Sequence, residues 1–280
     1  MSLSILLLVL LGAGLHATWN GLVKAGSDRY LDIVALLAAA AVLTALWLPF
    51  LPLPAQASWL WLALSAVIHQ LYFALIALSY QKGDMSLVYP VMRGSAPALT
   101  ALASILWLGE RPSMLGLAGV CLVSCGVLMF ACERPAGTKI QWAPLLPALA
   151  NACVIVLYTM VDGTGVRLSG HAFSYTSWGF LLCALLFVPT ALVLRRRRVL
   201  VHIRERWRSS LIGAGCSIGA YGLALWAMTR APIATVAALR ETAIVFGVII
   251  AACTLKERLS PIRIAAGLVV VAGAVIIKLG

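Results

Sequence analysis

Arg93 and Arg240 each stand inside a long apolar run of this chain, 147 residues apart. An arginine at the centre of a lipid-spanning helix costs about 3 kcal/mol on insertion scales, so such a residue faces a protein interior or a wet cavity. Its guanidinium is a planar fork that matches carboxylate, phosphonate or phosphate oxygens. The pair is therefore expected to clamp an anion. The alternative reading is structural: one or both arginines pair with Glu241 or bond helix carbonyls, locking helices together. Glu241 reads as the only carboxylate deep inside a span. It points about 100° away from Arg240 on a helix, so its expected partner is Arg93 or Lys24, or it serves as a proton-carrying coupling group.

Other polar and aromatic residues fall on shared faces. His16, Asn20 and Lys24 are spaced four apart with Trp19 beside them, His69 and Tyr72 share a turn, and Tyr89 lies one turn before Arg93. Asn151, Tyr158 and Asp162 share one face, and Tyr221 and Trp226 occupy a later run. The expected substrate-binding set is Arg93, Arg240, His16, Trp19, Asn20, His69, Tyr72, Tyr89, Tyr158 and Tyr221, with Glu241 for coupling. The same stripes also suit helix–helix hydrogen bonding in a membrane. No H-E-x-x-H or C-x-x-C is present, and the seven cysteines sit mostly in apolar runs, so no metal site, catalytic residue or cofactor is expected.

The elements that must hold these residues follow from composition. Of 280 residues, 62% are hydrophobic and only 11% charged, and the mean hydropathy is +1.01. A soluble fold of this size could not hide so much apolar surface, so lipid solvates it. Soluble enzymes, nucleic-acid binders and disulfide-stapled secreted domains are excluded. The +12 net charge does not reopen a nucleic-acid reading, because seven of the 21 basic residues are the arginines 195–198, 204, 206 and 208 of one segment. Such a segment marks topology or touches anionic headgroups.

Apolar runs predict ten helices, over 3–23, 31–51, 59–80, 85–108, 113–131, 142–162, 173–194, 209–229, 232–254 and 261–279, with residues 195–208 as a loop. A shift of 147 places Arg93 on Arg240, Glu110 on Glu257, Arg111 on Arg258, Ser113 on Ser260 and Gly126 on Gly273 without a gap. WLGERPS and TLKERLS become equivalent corners, expected to cap helices. The expected organisation is a five-helix repeat over 1–131, a linker over 132–141 and a second repeat over 142–280. Five spans per copy is an odd number, so the second copy enters the membrane inverted, an arrangement that puts transporter sites at the midplane between halves. Both arginines then sit at mid-depth. Pro90 and Pro97 bracket Arg93 and predict a kink there.

The two-repeat plan, the paired G-E-R-P-S and K-E-R-L-S corners, the HATWN stretch at 16–20 and the YPVMRGSAP run at 89–97 resemble the drug/metabolite transporter superfamily, specifically its EamA-type members. The resemblance implies secondary transport of small metabolites, commonly export of amino acids or related compounds.

The expected protein is therefore an all-α polytopic membrane protein of the cell's inner (plasma) membrane, a monomer or homodimer among lipids. It is expected to export a small anionic or zwitterionic metabolite such as an amino acid through a central cavity with alternating access and proton coupling. Transport of a lipid or phosphonate on the same fold is the alternative, and an intramembrane enzyme finds no clustered catalytic groups. No P-loop for ATP is present. Fifteen basic residues follow odd-numbered helices against four on the other face, which predicts both termini outside.

Overall fold

The computed structural model describes residues 1–82, 85–133, 145–255 and 260–280, and these are helical apart from short turns. The helices are α1 Leu3–Lys24, α2 Arg29–Trp47, α3 Trp59–Lys82, α4 Met85–Leu108, α5 Met114–Met129, α6 Leu145–Leu168, α7 Ala172–Met228, α8 Ile233–Arg240, α9 Ala243–Leu255 and α10 Pro261–Leu279. Among the described residues, nine helical segments are long and apolar enough to cross a membrane. Rows such as Leu3, Leu7 and Leu11 on α1 stay exposed, as a lipid-solvated surface requires. Glu257 and Arg258 of the second corner, and linker residues 134–141, lie outside the described residues.

Two departures from the expected spans change the arrangement of the bundle. Residues 196–208 are helical rather than a loop, so α7 is two helices that meet at a kink at Arg195 (φ −142°, ψ 35°), and the second begins well before the expected 209. The stretch RRRRVLVHIRERWR holds no Gly or Pro and is rich in good helix formers, so it is helical once past the break at Arg195. At that break the chain doubles back. The rings of Phe180 and Tyr221 are 6.2 Å apart, whereas a straight helix would separate the two residues by roughly 60 Å.

The expected helix over 232–254 is instead two pieces. Glu241 N and Thr242 N donate to carbonyls three residues back, at 3.0 and 3.1 Å, and Thr242 Oγ1 donates to Leu239 O at 2.7 Å. This tight turn separates α8 from α9, and such 3₁₀ geometry within a helix is typical of a hinge.

The corners cap helices. Ser113 Oγ accepts from Gly116 N at the start of α5, and the register-equivalent Ser260 Oγ accepts from Arg263 N at the start of α10. Glu110 reaches further. Its carboxylate accepts from Ile233 N at 3.1 Å, capping α8 from the first half of the chain, and pairs with Arg167 at 2.8 Å. Arg167 also donates to Met228 O and Ala231 O, so one corner fixes the end of α7 and the start of α8.

α5 and α10 pack backbone to backbone. A Cβ added at Gly119 would meet Gly273 O and Ile277 N at 2.8 Å, and one at Gly126 would meet Val270 N at 2.9 Å and Ala266 O at 3.1 Å. Small residues permit this approach, which is how membrane helices gain contact without a hydrophobic drive. Gly119→Ala should therefore push the helices apart and cost about 1–3 kcal/mol, read as a lower thermal midpoint in detergent. Gly267→Ala, where an added Cβ meets nothing within 4 Å, should cost nothing.

Candidate functional site

The helices enclose a cavity of about 900 Å³, counting its open mouth, walled mainly by aromatic and aliphatic side chains. Arg93 and Arg240 both line it, brought there from α4 and from the last residue of α8.

Their environments differ. Arg93 is 5% exposed and grips Glu241 with both ends of its fork, Nη2 to Oε1 at 2.7 Å and Nε to Oε2 at 3.0 Å. Lys24, the other expected partner of Glu241, is exposed at the end of α1. Pro97 has no N–H to return to the Arg93 carbonyl, and Ala98 N donates instead to Ser124 Oγ at 3.2 Å. α4 nevertheless stays helical from Met85 to Leu108. Arg240 has no carboxylate within 4.0 Å among the described residues. Its Cζ lies 5.1 Å from the Tyr221 ring centroid, a cation–π contact.

The repeat register explains the difference. Arg93 corresponds to Arg240, but the position corresponding to Glu241 is Gly94. Gly94 is pressed against α5, where a Cβ would meet Leu128 at 2.8 Å. One arginine is thereby neutralised by its neighbouring half, and the other keeps its charge toward the cavity.

A second polar centre stands at Asp162. It is 2% exposed and accepts hydrogen bonds from Tyr175 Oη at 3.0 Å and from Tyr221 Oη. Tyr221 therefore touches both Asp162 and Arg240. Neither Asp162 nor Tyr175 is in the expected site set, although both line the cavity. The expected sixth span ends at Asp162, just before Gly163 and Gly165, whereas α6 runs on to Leu168. Those glycines serve packing: a Cβ at Gly163 would strike Ile233, and one at Gly165 would strike the Tyr175 hydroxyl. The Asn151–Tyr158–Asp162 stripe is the sequence signal that points to Asp162.

Among the other expected residues, His16, Trp19, His69, Tyr72, Tyr158 and Tyr221 line the cavity. His69 Nδ1 lies 2.9 Å from Ser65 O, and a carbonyl can only accept, so Nδ1–H donates to it. Trp19 Nε1 donates to His16 Nδ1 at 3.3 Å, so the neutral His16 ring keeps Nε2–H as a donor. The rings of Tyr158, Tyr72 and Tyr221 lie 4.6, 6.2 and 6.2 Å from that of His69. Asn20 and Tyr89 lie outside the cavity lining. Asn20 Nδ2 donates to His16 O of its own helix at 2.8 Å, and Tyr89 packs beside Val88 and Met92. Among the described residues no cluster of three or more metal-ligating side chains occurs.

Helices around an aromatic-walled, arginine-bearing cavity define a multi-pass membrane protein of the transporter class, and the similarities to known proteins agree. Residues 142–279 match the EamA-like transporter family, and residues 32–123 match the Small Multidrug Resistance protein family. The chain belongs to the drug/metabolite transporter superfamily as an EamA-type protein. It is a membrane transporter of small molecules, and its family consists of transporters rather than enzymes. One protein of known crystal structure has the same fold, with a TM-score of 0.73 at 17% identity over 100% of this chain and 98% of its own. No curated protein matches the chain.

Proposed function

We propose that this protein is a secondary transporter of the inner membrane that exports a small anionic or zwitterionic metabolite, such as an amino acid, by alternating access through the central cavity. The observation that carries the reading is a guanidinium at Arg240 with no carboxylate within 4.0 Å among the described residues, in a cavity whose other arginine is already neutralised. A lone cation held away from bulk water is costly, and an anionic cargo group supplies its missing partner. Arg240 holds the anion, and Tyr221, Tyr158, Tyr72, His69, His16 and Trp19 hold the remainder of the cargo. Arg93 acts through Glu241, the coupling carboxylate, rather than directly on the cargo.

Alternating access requires two halves able to rock, and an inverted pair of repeats over 1–131 and 142–280 fits this. The reciprocal contact of α5 and α10 supports that organisation. Gly119 meets Gly273, while Gly126 meets Ala266, and the 147-residue shift exchanges these two pairs. A two-fold relation produces such isologous contacts. With α7 folded back on itself and α8–α9 forming one broken span, the chain makes ten crossings.

The test is uptake of labelled leucine, benzoate and phenylphosphonate into inside-out proteoliposomes, with and without an imposed pH gradient. Saturable uptake of at least one of the three, enhanced by the gradient, is expected. Protein that is monodisperse and inserted yet moves none of them, while scrambling a labelled phospholipid, would establish the lipid-transport alternative instead.

A further inference from the structure

The helical arginine segment has two faces with different tasks. Its inward face is formed by Val199, His202, Arg206 and Ser210, at helical spacing, and it ties the segment to the first half of the chain. His202 Nε2 lies 3.0 Å from Asp32 Oδ1, Arg206 Nε donates to the same oxygen at 3.2 Å, and Arg206 Nη2 donates to Leu22 O at 3.1 Å. These contacts fix the segment where α1 ends and α2 begins, at one face of the helix bundle.

The outward side carries Arg196, Arg197, Arg198, Arg204 and Arg208, all exposed and none in an ion pair among the described residues. Between them Leu200, Val201 and Trp207 are 55%, 48% and 54% exposed, and Arg208 lies over the Trp207 ring at 5.2 Å. Five unpaired guanidinium groups do not fit the hydrocarbon interior, and three large apolar side chains among them do not favour bulk water. The boundary between the two satisfies both, with apolar residues in the acyl margin and arginines among phosphates.

We propose that the outward face of residues 196–208 is a docking surface for anionic phospholipid headgroups of the surrounding leaflet. Through His202 and Arg206 on its other face, bound lipid steadies the Asp32 junction. Asp32 immediately precedes Ile33 in the cavity wall, so lipid charge at the surface reaches the wall of the cavity through one helix turn. Headgroup binding at this face does not depend on which cargo the cavity carries.

The experiment titrates detergent-purified protein with phosphatidylglycerol or phosphatidylcholine, counting retained lipids by native mass spectrometry and following the melting temperature. Wild-type protein is expected to retain phosphatidylglycerol preferentially and to melt higher in its presence. The R196Q/R197Q/R198Q/R204Q/R208Q variant should lose that preference, with roughly a fivefold weakening for each charge removed, and the same five positions changed to Lys should keep it. Should the glutamine variant fold poorly, the wild-type protein itself in about 500 mM salt should release most of the bound phosphatidylglycerol, because exposed charge contacts are screened. Equal retention of the two lipids by wild-type protein, full retention at high salt, or competition by soluble inorganic phosphate that equals the lipid's affinity would overturn the proposal.

Discussion

Arg240→Ala is expected to abolish transport, lowering flux at least about 100-fold, while the protein still inserts and stays monodisperse. The magnitude follows from what the substitution removes: two charge-assisted hydrogen bonds to an anion, at about 1.5–3 kcal/mol each, in a site shielded from water. The fold survives because, among the described residues, no carboxylate is ion-paired with this guanidinium. Within the protein the substitution removes the cation–π interaction with Tyr221, which is worth about 0.5–2 kcal/mol. Arg240→Lys should restore part of the flux, since an ammonium supplies the charge but not the planar fork. Proteoliposome uptake, normalised to inserted protein, checks both variants.

Arg93 should behave differently although it is the register equivalent of Arg240. Arg93→Ala leaves the Glu241 carboxylate buried without its bidentate partner, a loss of about 3–5 kcal/mol. The expected result is a sharply lower melting temperature and poor yield, rather than a stable but silent transporter. The double variant Arg93→Met/Glu241→Met replaces both charges with apolar volume and should recover most of that stability. Additive losses in the double variant would show that the two side chains do not stabilise one another. Glu241→Gln separates the coupling role: it should retain downhill flux and lose accumulation driven by a pH gradient. Unchanged gradient-driven accumulation in that variant would assign coupling to another group.

The contrast between the two arginines is partly legible in the sequence. The 147-residue register identifies them as equivalents, and the same register sets Gly94 against Glu241, so only one copy can supply a carboxylate. What the register does not contain is which helices face each other, and hence that Glu241 turns to Arg93 rather than Lys24. Asp162 is obscured for a local reason: Gly163 and Gly165 look like a helix end in sequence but act as clearance for Ile233 and Tyr175. The meeting of Tyr175 and Tyr221 at Asp162 also depends on how the two arms of α7 face α6, which the separate spans expected over 173–194 and 209–229 do not specify. The arginine segment looks like a loop by its charge density, yet the absence of helix breakers decides its conformation. Asn20 illustrates a limit of face-sharing patterns, since its amide can bond its own helix four residues back and leave the cavity without changing the spacing.

The proposed transport of an anion rests on Arg240, a guanidinium with no carboxylate within 4.0 Å among the described residues, as the group that holds it. The decisive test is a structure of the wild-type protein determined with a transported compound bound, whichever of leucine, benzoate or phenylphosphonate is carried. The anionic group is expected within hydrogen-bonding distance of the Arg240 fork, with the Arg93–Glu241 pair intact and the rest of the compound against Tyr221 and His69. A compound seated elsewhere, or one whose anionic group lies on Arg93 with Arg240 turned away, would contradict this assignment.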